Sequence, residues 1–116
     1  MIHLKRVYET RSSMDGERIL VERLWPRGIT KAKAAVDIWL KDVAPSPELR
    51  KWFGHDPARW KQFEQRYWKE LQSNPKVVEE LRSRLKRGTV TFVYAAHDEE
   101  HNGAFALKEF LERGNQ

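Results

Sequence analysis

The sequence predicts a small α/β sandwich, a mostly parallel sheet covered by helices in one domain spanning residues 1–116. Three observations point to it. Ile19, Leu20 and Val21 form an uninterrupted apolar run, and residues 89–96 (TVTFVYAA) carry no charge. Short runs of this kind suit strands covered on both faces. Between them, Ser46-Pro47, Asp56-Pro57 and Asn74-Pro75 each set a capping side chain before a proline. A helical pattern follows the second run, so strand and helix alternate, as in sheets built from parallel strands.

Residues 2–9 (IHLKRVYE) read as a first strand with imperfect alternation, and Asp15-Gly16 marks the turn after it. The second strand is expected over 17–25. Residues 30–36 suit a short helix capped by Thr30, and 37–44 a further extended segment. At the three helix starts the side-chain oxygen accepts a first-turn N–H, and proline there loses no hydrogen bond. The first of these helices is short. The second runs from Pro57 to about Ser73, with Trp60, Phe63, Tyr67 and Leu71 recurring on one face. The third runs from Pro75 to Arg87, turns Val78, Leu81 and Leu85 inward and closes at Gly88. Lys86 and Arg87 suit its negative C-terminal end. Residues 89–96 form the strongest strand and belong mid-sheet. In the last helix Asp98 is expected as cap, Ala104, Leu107, Phe110 and Leu111 as the inward face, and Gly114 as the close.

The chain has 116 residues, about 40% of them apolar, enough for one core. It contains no cysteine, which rules out disulfides, thiolate metal sites and cysteine nucleophiles within it. Residues 1–9 lack the apolar core of a signal peptide, and no apolar run approaches the ~20 residues that span a bilayer. A cytoplasmic protein without membrane contact is expected. The net charge of +5 favours anionic partners. Lys and Arg are scattered among almost as many acids, without a basic block, so a small anion is favoured over nucleic acid.

Ligands of parallel sheets gather beyond the C-terminal strand ends. Two segments are expected there: "RLWPRG" (23–28) and "HDEEHN" (97–102). If their strands are neighbours, Arg23, Arg27 and the first N–H groups of the last helix would surround one anion pocket. Gly28 would let backbone approach the ligand, and Trp25 would supply an apolar wall or stacking surface. His101 would carry a proton and Asn102 orient a group. His55, in the connection before Asp56, is a second proton carrier, with Asp98 orienting. Tyr67 and Tyr94 are phenols that need a partner when buried, so both are expected as binding residues with the hydroxyl turned to the pocket, Tyr94 lining it from the central strand. The bland alternatives are a core Trp25, locally paired arginines, and Asp56 and Asp98 as caps alone. His97 and His101 stand four apart, but H-D-E-E-H is not the H-E-x-x-H zinc motif and no third ligand is evident. No metal or cofactor is called for.

The strings "VERLWPRGITK", "WLKDVAPSPELRKWFGHDPARWKQFEQRYWKEL" and "GTVTFVYAAHDEEHNGAFALKEFL" together resemble the YeaO-like family, bacterial and archaeal domains of unknown function. The resemblance covers nearly the whole chain and implies a small cytosolic α/β protein with no assigned reaction. The matching positions are Arg23, Trp25, Pro26, Arg27, Gly28, Lys41, Ser46, Arg50, Phe53, Gly54, His55, Asp56, Tyr67, Tyr94, Asp98, His101 and Asn102. Two positions depart from the family pattern. Glu22 stands where Asp is usual, which argues against a carboxylate of fixed geometry there. His97 stands where Lys or Arg is usual. The expected function is an enzyme or binding domain for a small anion, a nucleotide or phosphorylated metabolite; a nucleic-acid-binding or accessory module is the alternative.

Overall fold

The computed structural model describes residues 1–113. Four strands, β1 (Ile2–Arg6), β2 (Glu17–Leu20), β3 (Ile38–Trp39) and β4 (Val90–Tyr94), form one sheet in the order β1-β4-β2-β3. Every neighbouring pair is parallel. The helices are α1 (Lys31–Ala34), α2 (Pro47–Phe53), α3 (Trp60–Gln72), α4 (Pro75–Arg87) and α5 (Gly103–Arg113). The chain is thus a single-domain α/β fold with a parallel sheet and surrounding helices.

Strand alternation divides the core. Ile19, Val21, Val90, Phe92 and Tyr94 face the thick layer, where Phe63, Tyr67 and Leu71 of α3 meet Leu81 of α4 and Leu107 of α5. Leu20 and Val93 face a thin layer closed by Ala34, Trp25, Ile29 and Trp39. All five residues of β4 are buried, as a central strand requires. The thin layer also holds Arg18, 0% exposed. Its guanidinium pairs with Asp15 at 3.0 Å and donates to the Ala34, Val7 and Glu9 carbonyls. A buried charge survives in this way, with its donors satisfied. Gly16 has φ +64, and a Cβ there would stand 2.0 Å from the Thr89 carbonyl oxygen, so this turn has room only for glycine.

Several boundaries differ from expectation. The strand expected over 17–25 ends at Leu20 because side chains take over the ladder. The Trp39 indole donates to the Glu22 carbonyl at 2.6 Å, and the Ala95 N–H donates to the Glu22 carboxylate at 3.3 Å. The strand expected over 2–9 ends at Arg6, and that expected over 37–44 shrinks to Ile38–Trp39 before a 3₁₀ turn at Lys41–Val43. Pro57–Arg59 is a 3₁₀ turn leading into α3. Thr30, Ser46 and Asp56 cap as expected. Asn74 does not cap; its amide donates instead to the Asp42 carbonyl. Asp98 is not the cap of the last helix either. It closes the preceding turn by accepting from the Glu100 and His101 N–H groups, and Asn102 caps α5 by accepting from Phe105. Leu85 and Phe110 are half-buried rather than fully inward, and Gly114 lies outside the described residues. Among the described residues no helix is long and apolar enough to cross a membrane.

Candidate functional site

Because β2 and β4 are adjacent and parallel, the segments that follow them emerge side by side. Arg6 braces the second one: its guanidinium donates to the Ala95 and Ala96 carbonyls at 2.8 and 3.0 Å. Beyond these strand ends lies an open cleft of about 770 Å³, with Trp25, Pro26 and Arg27 on one side and His97 and Asp98 on the other. Arg50, from the middle of α2, and His55, from the turn after it, border the same cleft. Beneath it is a smaller, more enclosed chamber of about 70 Å³. Arg23, His101 and Asn102 border this chamber, with Phe53 and Phe63 among its apolar walls. Glu22, Arg50, His55 and Ala96 line both spaces.

The two arginines of the 23–28 turn therefore do not share one pocket. Arg27 is exposed at the cleft, whereas Arg23 is turned to the chamber and donates to the Ala44 carbonyl at 3.3 Å. Strand alternation would set 23 and 27 on one face; the bends at 22–24 and the turn at 27–28 separate them instead. Arg23 Nε is buried without a partner. Trp25 presents a wall to the cleft, but its indole N–H is taken by the Ile29 carbonyl and its ring packs edge-on against Trp39, 5.5 Å away. Gly28 lies outside the cleft, on a separate hollow beside Tyr8 and Lys33. Its φ of +73 is the turn's requirement, and a Cβ there would meet nothing within 4 Å.

Tyr67 also lies elsewhere. Its fully buried hydroxyl donates to the Val43 carbonyl at 2.6 Å, and burial pushes its pKa upward. Tyr94 lines neither cleft nor chamber; burial first, then Glu99 and Glu9, raise its phenol above the ordinary value. Asn102 is committed at both ends of its amide, accepting from Phe105 and donating to the Asp98 carbonyl. It lines the chamber with one N–H and one oxygen lone pair of the amide in these local bonds.

His101 Nδ1 stands 2.9 Å from the Asp98 carboxylate, and its ring sits edge-on to Trp60 at 5.2 Å. The histidine hydrogen bond, followed by the Glu100 N–H, holds the Asp98 carboxyl below its usual pKa. His55 has φ +58, an unusual conformation for a residue with a side chain, though histidine adopts it more readily than most. Gly54 before it is also left-handed, so the two together turn the chain sharply and set His55 at the lip of both spaces.

Two contributors were not picked out as site residues from the sequence. Glu22 sits where cleft and chamber join, and burial raises its carboxyl above the ordinary value against the lowering effects of the Ala95 N–H and Arg50. Its extra methylene compared with Asp lets the carboxylate reach the Ala95 N–H across the strand gap, so the longer acid is held in place after all. Arg50 belongs to a seven-residue helix whose local pattern signals only capping and packing; its place at the cleft depends on how α2 lies over the strand ends. Among the described residues no group of three or more His, Asp or Glu side chains is arranged to hold a metal ion.

A family model described as "Inactive DUF488-N3 subclade" matches residues 1–116. An uncharacterised protein of Mycobacterium tuberculosis is 43% identical over 110 residues, covering 95% of this chain and 92% of its own. The uncharacterised protein YeaO of Escherichia coli is 39% identical over 110 residues, covering 95% of this chain and 96% of its own. No solved structure matches the chain.

Proposed function

The chain belongs to the inactive DUF488-N3 subclade and is a relative of YeaO, and from that premise we propose that it binds a small anion in the cleft without turning it over. The observation that carries the proposal is the convergence of Arg27, Arg50, His55 and His97 on one cleft beyond adjacent parallel strand ends. Guanidinium groups offer paired donors to phosphate or carboxylate oxygens. Glu22 adds to them. With its pKa raised it keeps its proton to higher pH than an ordinary carboxyl, and a protonated carboxyl can donate to an anion. Asp98 and His101 then act as a pair that holds the rim, and Trp25 as the apolar wall. The family description "inactive" supports binding over catalysis. A phosphorylated metabolite or a nucleotide is the class of ligand in view, and the cysteine-free chain would meet it in the cytoplasm.

Titration calorimetry and thermal shift with inorganic phosphate, pyrophosphate, small dicarboxylates and AMP test the proposal. At least one should raise Tm, since a ligand bound only by the folded state stabilises it by RT ln(1 + [L]/Kd). Arg50→Ala or Arg27→Ala should each weaken binding by about tenfold or more, the equivalent of a charged hydrogen bond worth roughly 1.5–3 kcal/mol. Affinity should fall as pH rises and Glu22 loses its proton. Phosphorus NMR should recover a bound phosphate ester unchanged. No shift with any of these anions would overturn the binding assignment, and appearance of a product would overturn the absence of turnover.

A further inference from the structure

The chamber under the cleft narrows the class of ligand. Resting on the anion assignment above, we infer that the ligand is a phosphate or carboxylate bearing a compact apolar tail of two to four carbons, with the charged head in the cleft and the tail in the chamber. The two spaces adjoin, since Glu22, Arg50, His55 and Ala96 line both, and the inferred ligand reaches from one into the other past these four residues.

The chamber's size sets the tail. At about 70 Å³ it holds roughly five water-sized groups, taking ~10–15 Å³ for each. Its walls decide what those groups are. Val21, Ala44, Phe53, Phe63 and Ala104 are apolar and at least 93% buried. Polar side chains border it too: Asn102 has one hydrogen bond at each end of its amide, Arg23 donates one N–H to the Ala44 carbonyl, and Glu22, Arg50, His55 and His101 complete the lining. Ordered water needs two to four polar partners; Glu22, Arg50 and His55 stand on the side shared with the cleft, which leaves Arg23, His101 and Asn102 to serve water in the chamber beside these five apolar walls. Hydrocarbon fits such walls better than water does. A purine or pyrimidine ring with its ribose exceeds the space, so a nucleotide would have to remain in the open cleft.

The test is an affinity series of inorganic phosphate with methyl, ethyl, propyl and benzyl phosphate and AMP, measured by calorimetry on the full chain. Each methylene buried should tighten binding about fourfold, from ~0.8 kcal/mol per group, up to ethyl or propyl phosphate. Benzyl phosphate and AMP should fall back to within a few-fold of inorganic phosphate. Val21→Ala enlarges the chamber and should move the optimum about one carbon longer; Ala104→Val fills it and should remove the chain-length dependence while phosphate itself still binds. If Ala104→Val does not fold, the Val21→Ala shift decides. Equal affinity for phosphate and all its esters, or affinity climbing steadily to AMP, would overturn the tail while leaving anion binding intact. Failure of every member, inorganic phosphate included, would overturn both.

Discussion

His55 is the residue whose backbone and position bear most directly on the cleft. Its left-handed conformation costs about 1–2 kcal/mol for a residue with a Cβ. Glycine would remove that cost but add roughly 0.5–1 kcal/mol of chain entropy to be lost on folding. His55→Gly should therefore leave the unfolding free energy within about 1 kcal/mol of the parent in urea titrations. The same variant should weaken anion binding several-fold. A large stability loss with unchanged binding would mean that the imidazole serves only to pack against Phe53. Glu22 teaches the opposite lesson at this scale. Nothing local distinguishes it from any other surface acid, and only Ala95, just past the end of β4 and 73 residues on, fixes its carboxylate.

At the scale of elements, α5 is defined by one side chain. Asn102 supplies the acceptor for its first turn and ties that turn to Asp98 through its other amide atom. Asn102→Ala should destabilise the protein by about 1–2 kcal/mol, read as a lower urea midpoint. Asn102→Asp keeps the acceptor and should recover part of that loss. The contact between α3 and α5 carries a second consequence. Glu64 lies within it, with its Oε2 buried and unpartnered. Burial, then the neighbouring Glu109, push its carboxyl up to about 7, with Arg113 opposing. The raised value means that the folded state holds a proton that the unfolded state releases. Stability from this group is complete below about 4.5 and is lost as pH rises toward about 7. Glu64→Gln should accordingly raise Tm relative to the parent at pH 8 and have little effect at pH 4. An equal effect at both pH values would rule out this titration as its cause.

For the whole molecule, what could be read from the chain divides by range. The buried central strand, the Thr30, Ser46 and Asp56 caps and the aromatic face of α3 depend on neighbours in sequence, and they were legible there. The end of β2 was not, because a Trp39 indole seventeen residues on replaces a ladder partner for Glu22. Asn74 and Asp98 have the right chemistry for caps, yet the Asp42 carbonyl and the 98–101 turn claim them. The site shows the same split. Strand adjacency was enough to bring the 23–28 and 97–102 turns toward each other, but the division into cleft and chamber depends on where α2 carries Arg50 and Phe53.

The sheet order has a consequence for biosynthesis. β4 is the last strand made, yet it separates β1 from β2, and neither of those pairs with the other. A nascent chain that has reached residue 88 holds only the two-residue ladder between β2 and β3. Productive folding must then wait until β4 has been made, with Ile19, Leu20 and Phe63 exposed to the crowded cell in the meantime. A fragment of residues 1–88 should show collapsed amide dispersion in a proton–nitrogen NMR spectrum and rapid protease digestion; a native-like spectrum would mean that the first three strands assemble without their keystone.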